Sequence, residues 1–176
     1  MASDDLELAE QTATLGSFIG PLKDMGFACE LLEASAELEM PTLVVGLETD
    51  EQGRDRWLSV NVVPLELADS VGLSVAQVYA PLPFALEEER RPEFGLFALT
   101  ANQMLPLGSM GARDDGEIYF RYMAAGPDTT SLDPGLLARV AVVFQFQMDV
   151  FGEAMEQVVT GESSAADAIA ALETGE

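Results

Sequence analysis

The sequence contains no histidine and a single cysteine, Cys29, in 176 residues. Without histidine the commonest general base is missing, and with it Ser-His-Asp and Cys-His arrangements and imidazole metal ligands. One cysteine excludes an intrachain disulfide and any CxxC redox or zinc motif, which fits a reducing compartment. Cys29 lies in an apolar stretch and reads as an ordinary buried thiol. Basic residues are also scarce, 8 against 31 acidic for a net charge of −23, and Lys23 is the one lysine. A charge of that size repels phosphate backbones and anionic lipid, so nucleic-acid and membrane binding are disfavoured. Neither GxGxxG nor GxxxxGK[ST] occurs, so the sequence offers no phosphate loop. A Ser–Lys dyad would have to use Lys23, which is expected on the solvated side of the first helix.

Long apolar runs are missing too. The best candidate, Leu136 to Phe151, is interrupted by Arg139, Gln145, Gln147 and Asp149 and reads as a core helix. Asp4, Asp5, Glu7 and Glu10 give the first residues the wrong sign for a secretory signal or transit peptide, so a cytoplasmic location is expected.

What the sequence does have is enough apolar material, 48 %, for a packed domain. Its acidity fits general solubility, adaptation to a salty cytoplasm, or a field that attracts a basic partner. Residues 4–26 predict a helix with Leu8, Leu15, Phe18, Ile19, Leu22 and Met25 on one stripe, kinked or split at Gly20-Pro21 and capped by Gly26. From there the period changes to two. Residues 30–38 alternate Leu32, Ala34, Ala36 and Leu38 with polar residues, and 42–49 place Leu43, Val45 and Leu47 on one face. In Arg56 to Val63, Leu58, Val60 and Val62 point one way and Trp57, Ser59 and Asn61 the other. The three segments predict an antiparallel meander.

Pro64 ends that run, and 65–74 is a connector of undefined shape. Residues 75–84 read as extended, with Pro81 and Pro83 suiting an edge position or a strand exit. Glu87 to Met104 predicts a helix that could begin late because of Pro92, with Phe94, Phe97, Ala98, Ala101 and Leu105 as its stripe. Leu107 to Arg113 and Glu117 to Ala124 flank Asp114-Asp115-Gly116, a hairpin signal. The clearest helix follows, with Asp133 as N-cap, Pro134 at its first position and Gly161 closing it. Its stripe is Leu136, Val140, Phe144, Met148, Phe151, Met155 and Val158. One domain over 1–162 is expected, then an acidic, small-residue segment 163–176 that is a short helix or a frayed tail. The expected fold is α+β, an antiparallel sheet of five to six strands with helices packed on one face.

The candidate chemistry is sparse. Asp114, Asp115 and Glu117 surround a glycine at a predicted hairpin tip, where aspartate is favoured by turn geometry alone. Asp50 and Glu51 beside Gly53 have the same explanation, and neither group has the ligand spacing of a calcium loop. Glu87-Glu88-Glu89 followed by Arg90-Arg91 reads as a solvated charge run entering a helix. No catalytic, cofactor or metal residue is assigned. The apolar signal is more informative: Trp57, Tyr119 and Met123 fall on strand faces opposite the expected core. A sheet covered on one face leaves the other to solvent or a partner, and aromatic and methionine residues there suit a protein interface. Second-layer packing beneath a loop or the terminal segment is the bland alternative.

Two phrases carry a family resemblance. Leu99-Thr100-Ala101-Asn102-Gln103-Met104-Leu105-Pro106-Leu107-Gly108 and Asp115-Gly116-Glu117-Ile118-Tyr119-Phe120-Arg121-Tyr122, with the long helix that follows, resemble the YbjN-like proteins, a bacterial group with the type III secretion chaperone fold. The resemblance spans most of residues 14–160. It implies a non-enzymatic, dimeric protein with a chaperone-like or regulatory binding role and no active site, with Asn102 and Gly108 serving the helix-to-strand turn. The long acidic N-terminal segment and the Gly20-Pro21 break depart from it. A protein-binding module is therefore expected. Its alternatives are a carboxylate-based metal enzyme or small-ligand binder, and an acidic mimic that occupies a nucleic-acid-binding protein.

Overall fold

The computed structural model describes residues 2–63 and 72–175. Helix α1 runs Ala2–Asp24, followed by strands β1 (Ala28–Leu32), β2 (Thr42–Gly46), β3 (Trp57–Val62) and β4 (Ser74–Ala85). A short 3-10 turn at Glu88–Arg90 leads into α2 (Arg91–Ala101), then the hairpin β5 (Ser109–Ala112) and β6 (Glu117–Gly126). After a second 3-10 turn come α3 (Pro134–Thr160) and α4 (Ala165–Thr174). The six strands form one antiparallel sheet in the order β1-β2-β3-β4-β6-β5. Helices α1 and α3 lie against one face of it, and α2 and α4 pack on α3. This is the expected α+β architecture, with six strands and four helices.

The core forms where the period-two residues of the strands meet the period-3.6 stripes of the helices. Leu43, Val45, Leu58, Val60, Val78, Ala80, Ile118 and Phe120 are buried beneath Leu15, Phe18 and Leu22 of α1 and Val140, Phe144, Met148, Phe151 and Met155 of α3. Phe120 and Phe144 meet with ring centroids 6.2 Å apart. Helix α3 starts where the sequence says: Asp133 Oδ1 accepts the N–H groups of Gly135 and Leu136, which have no carbonyl partner in the first turn. It ends on Gly161 at φ +84°. Helix α3 is long and apolar enough to span a bilayer by length and composition, but its inner face is part of the protein core.

Several expectations are corrected. The first strand is Ala28–Leu32 and not 30–38, because Ser35 and Leu38 exchange backbone hydrogen bonds and the Ser35 hydroxyl accepts the N–H groups of Glu37 and Leu38. That turn absorbs the apparent alternation, and Leu31 packs on the core while Leu32 faces out. Gly20-Pro21 does not split α1: Pro21 lies in its last turn, where its missing N–H removes a single i→i−4 bond and only three residues of helix follow. Of the two positions that Pro81 and Pro83 suit, β4 shows the strand exit and not the edge, since it lies inside the sheet between β3 and β6. Its prolines sit near its end, where the register with β6 shifts between Pro81 and Ala85. On α3 it is Leu137, not Leu136, that is buried. Cys29 is only half-buried. Of the two alternatives for the terminal segment, the short helix is found: α4 spans Ala165–Thr174, with Ala165 and Ala168 buried. Most of the 65–74 connector lies outside the described residues.

Candidate protein-binding face

Register decides which side chains share the sheet's second face. Val44 pairs with Ser59, Ser59 with Tyr79, Tyr79 with Arg121 and Arg121 with Ser109, one row across five strands. The adjacent row holds Gly46 opposite Trp57 and then Pro81, Tyr119 and Gly111. On the other side, Gln77 pairs with Met123. Trp57, Tyr119 and Met123 therefore lie on one face, the face turned away from α1 and α3. They do not form one contact cluster. Tyr119 and Met123 are four residues apart on β6, about 13 Å, and Trp57 is two strands from Tyr119, about 10 Å. What they make is a broad surface.

Within it the three residues differ. Tyr119 is half-buried and its ring stacks on Tyr79 at a centroid distance of 4.9 Å. It also lies across Gly111, where an added Cβ would stand 2.9 Å from the tyrosine oxygen and would push the ring from its present position. Tyr79 donates its hydroxyl to Glu117 Oε1, and the Arg113 guanidinium sits 5.6 Å from the Tyr79 ring centroid. Burial, reinforced by the Glu117 carboxylate, pushes the Tyr79 hydroxyl well above the usual phenol range. Trp57 and Met123 are instead 42 % and 39 % exposed. Sequence reasoning misses Tyr79, although the alternation of Val78 and Ala80 around it carries the signal.

A second concave feature lies near the first turns of the sheet. Arg54 forks onto Glu156 with both Nη atoms at 2.7 Å, binds Asp50 through Nε at 2.6 Å, and covers the Phe84 ring at 5.5 Å. Its pKa is raised, first by the Glu156 bond. Arg56 is almost wholly buried: it donates to the Glu48 and Thr49 carbonyls and pairs with Asp149 at 2.7 Å. A cavity of about 120 Å³ opens between them over Leu82, Phe84 and Met148, with Glu51 and Glu153 on its rim.

The aspartates among the acidic candidates make structural bonds within their turns and to Arg91. Asp50 Oδ1 accepts the N–H groups of Gln52 and Arg54, and Asp115 Oδ1 accepts that of Glu117. Asp114 lends its carbonyl to Arg91. Among the described residues, no three Asp, Glu, Cys or His side chains converge as a metal site would require. Cys29 Sγ donates to the Phe27 carbonyl, and burial, partly offset by Lys23, raises its pKa. Comparison with protein-family models matches none of them, and comparison with curated proteins gives no match either.

Proposed function

We propose that this protein is a non-enzymatic binding module, chaperone-like or regulatory in the manner of the YbjN-like proteins it resembles. Its open sheet face would receive a segment of a client protein. The observation that carries this reading is Trp57, a large aromatic left 42 % exposed on a strand of a sheet whose helices lie on the other side. An exposed tryptophan beside a tyrosine stack, an exposed methionine and Arg121 has the composition of an interface core. The net charge of −23 favours a basic client by accelerating encounter.

Trp57 is the sole tryptophan, so its emission reports directly on the face. The test is capture from native lysate with wild type and Trp57→Ala side by side, both checked by circular dichroism. A client retained by the wild type, lost by the folded variant and shifting Trp57 emission to the blue supports the reading. A client retained equally by both removes the face as its site.

The cavity beside Arg54 and Arg56 favours a second reading, a small-ligand binder. Its lining sums to −3, with two arginines against Asp50, Glu51, Asp149, Glu153 and Glu156, and suits a small organic cation over an apolar floor. A polyamine or guanidinium compound should then raise the melting temperature beyond matched monovalent salt.

A further inference from the structure

The outer face of α3 carries an uncharged strip whose spacing reads the same in both directions. Val142, Phe146 and Val150 are 47 %, 57 % and 40 % exposed, in steps of four residues. Arg139 lies three residues before Val142 and Glu153 three after Val150, and both are exposed. Outward from Phe146, each direction therefore meets a valine and then a charge, with opposite signs at the two ends. At about 100° per residue these five positions fall within roughly 80° of the helix circumference. They form one stripe facing away from the core.

Such a palindrome has a specific structural use. When two identical helices pair antiparallel about a two-fold axis, a residue n places before the axis meets the residue n places after it on the other copy. An axis at Phe146 puts Val142 against Val150 of the second copy and Arg139 against Glu153 of the second copy, twice over. The charges support this pairing. Arg139 bonds only its own helix, to the Gly135 carbonyl at 2.8 Å, and forms no ion pair among the described residues. Asp149, the carboxylate nearest the stripe, is neutralised by Arg56 at 2.7 Å. Two copies carrying −23 each repel, so close approach needs a surface without net negative charge, and this stripe is one. The stripe also accounts for α3 being apolar enough to pass for a membrane span while less than half of that stretch, 44 %, is buried.

We propose that two copies of this chain pair antiparallel through α3 about a two-fold axis at Phe146, with Arg139 of each facing Glu153 of the other. The pairing goes beyond the client-binding reading and does not depend on it, since the sheet face lies on the opposite side of the molecule.

The test is solution mass by light scattering and sedimentation, with circular dichroism as a folding control. Wild type should be a dimer at micromolar concentration. Phe146→Asp should weaken it by roughly a hundredfold or more, as loss of a central anchor does. Arg139→Glu and Glu153→Arg should each weaken the dimer, because each places like charges in contact twice. Mixed in equal amounts, the two single variants should form heterodimers. Only in that mixed pair does the introduced glutamate of one copy face the introduced arginine of the other, while native Arg139 faces native Glu153 as before. The double variant R139E/E153R should dimerise alone. A wild type monomeric up to about 100 µM would overturn the proposal. So would a dimer indifferent to Phe146→Asp, or single variants that fail to complement each other.

Discussion

Asn102 holds both backbone polar groups of Met110: its Oδ1 accepts the Met110 N–H at 2.8 Å and its Nδ2 donates to the Met110 carbonyl at 3.1 Å. The bonds tie the end of α2 to edge strand β5, where the second ladder partner of that strand is missing.

Replacing Asn102 with leucine leaves the Met110 N–H and carbonyl without their partner and should cost about 1–3 kcal/mol. Asn102→Asp keeps the acceptor and should cost less. Gly108 sets the same connection at φ +73°, and a Cβ there would stand 2.5 Å from the Arg121 carbonyl oxygen. Gly108→Ala should therefore destabilise as well, through backbone strain and not through a lost bond. Urea denaturation orders the variants; Asn102→Asp as damaging as Asn102→Leu would refute the role given to the acceptor.

The Arg56–Asp149 pair is asymmetric, with side-chain exposures of 4 % and 53 %. Arg56→Leu strips the Glu48 and Thr49 carbonyls of their donor as well as the ion pair, and should cost about 2–4 kcal/mol. Asp149→Asn leaves the arginine on its two carbonyls and its partner position in solvent, and should cost under about 1 kcal/mol. Equal losses in thermal denaturation would contradict this division.

Asp50 gives a pH dependence of known sign. Burial works against its ionised form, but the Arg54 and Gln52 bonds and the Arg54 charge outweigh it and hold the carboxyl below its ordinary value. A depressed folded pKa means that the stabilisation is complete above the unfolded value near ~3.9 and is lost as pH falls through the folded one. Asp50→Asn removes this titration while keeping the side-chain acceptor. The stability difference between wild type and variant should therefore shrink below about pH 4. Parallel curves from pH 6 to acid unfolding would show that Asp50 does not titrate with folding.

The strand interiors were legible because period two is unambiguous where β-branched residues alternate with polar ones, as in Leu58 to Val62. The edges of elements were not. At 30–38 the alternation of leucine and alanine with glutamate and serine imitates a strand, and only the Ser35–Leu38 turn, closed by local bonds that a period-two pattern does not show, reveals the true phase. The terminal α4 was undecided because its alanines carry little hydrophobic signal. Its position depends on Glu93 of α2, whose Oε1 accepts the Ala165 N–H at 2.6 Å, 72 residues away. Of the candidate site, Trp57, Tyr119 and Met123 were placed on one face by period alone. The Tyr79 stack needed the pairing of β4 with β6, which joins segments separated by a helix.

Gln147 marks a place where the core is not at its stability optimum. It is fully buried in α3, and neither its Oε1 nor its Nε2 has a hydrogen-bond partner among the described residues. The neighbouring interruptions of this apolar helix all have one: Gln145 accepts the Glu48 N–H at 3.3 Å, and Asp149 pairs with Arg56. An orphaned buried amide costs about 1–3 kcal/mol of desolvation that nothing offsets. Gln147→Met keeps the length and flexibility of the side chain while removing its polar atoms, so it should stabilise the fold by about 1–2 kcal/mol. In a chain of this size that corresponds to a rise in melting temperature of roughly 2–8 °C. Gln147→Glu should do the reverse, since an unpaired carboxylate at the same depth must either protonate or drag in water. If Gln147→Met instead lowers the melting temperature, the amide is satisfied in solution, and an ordered water within reach of α3 becomes the explanation to look for.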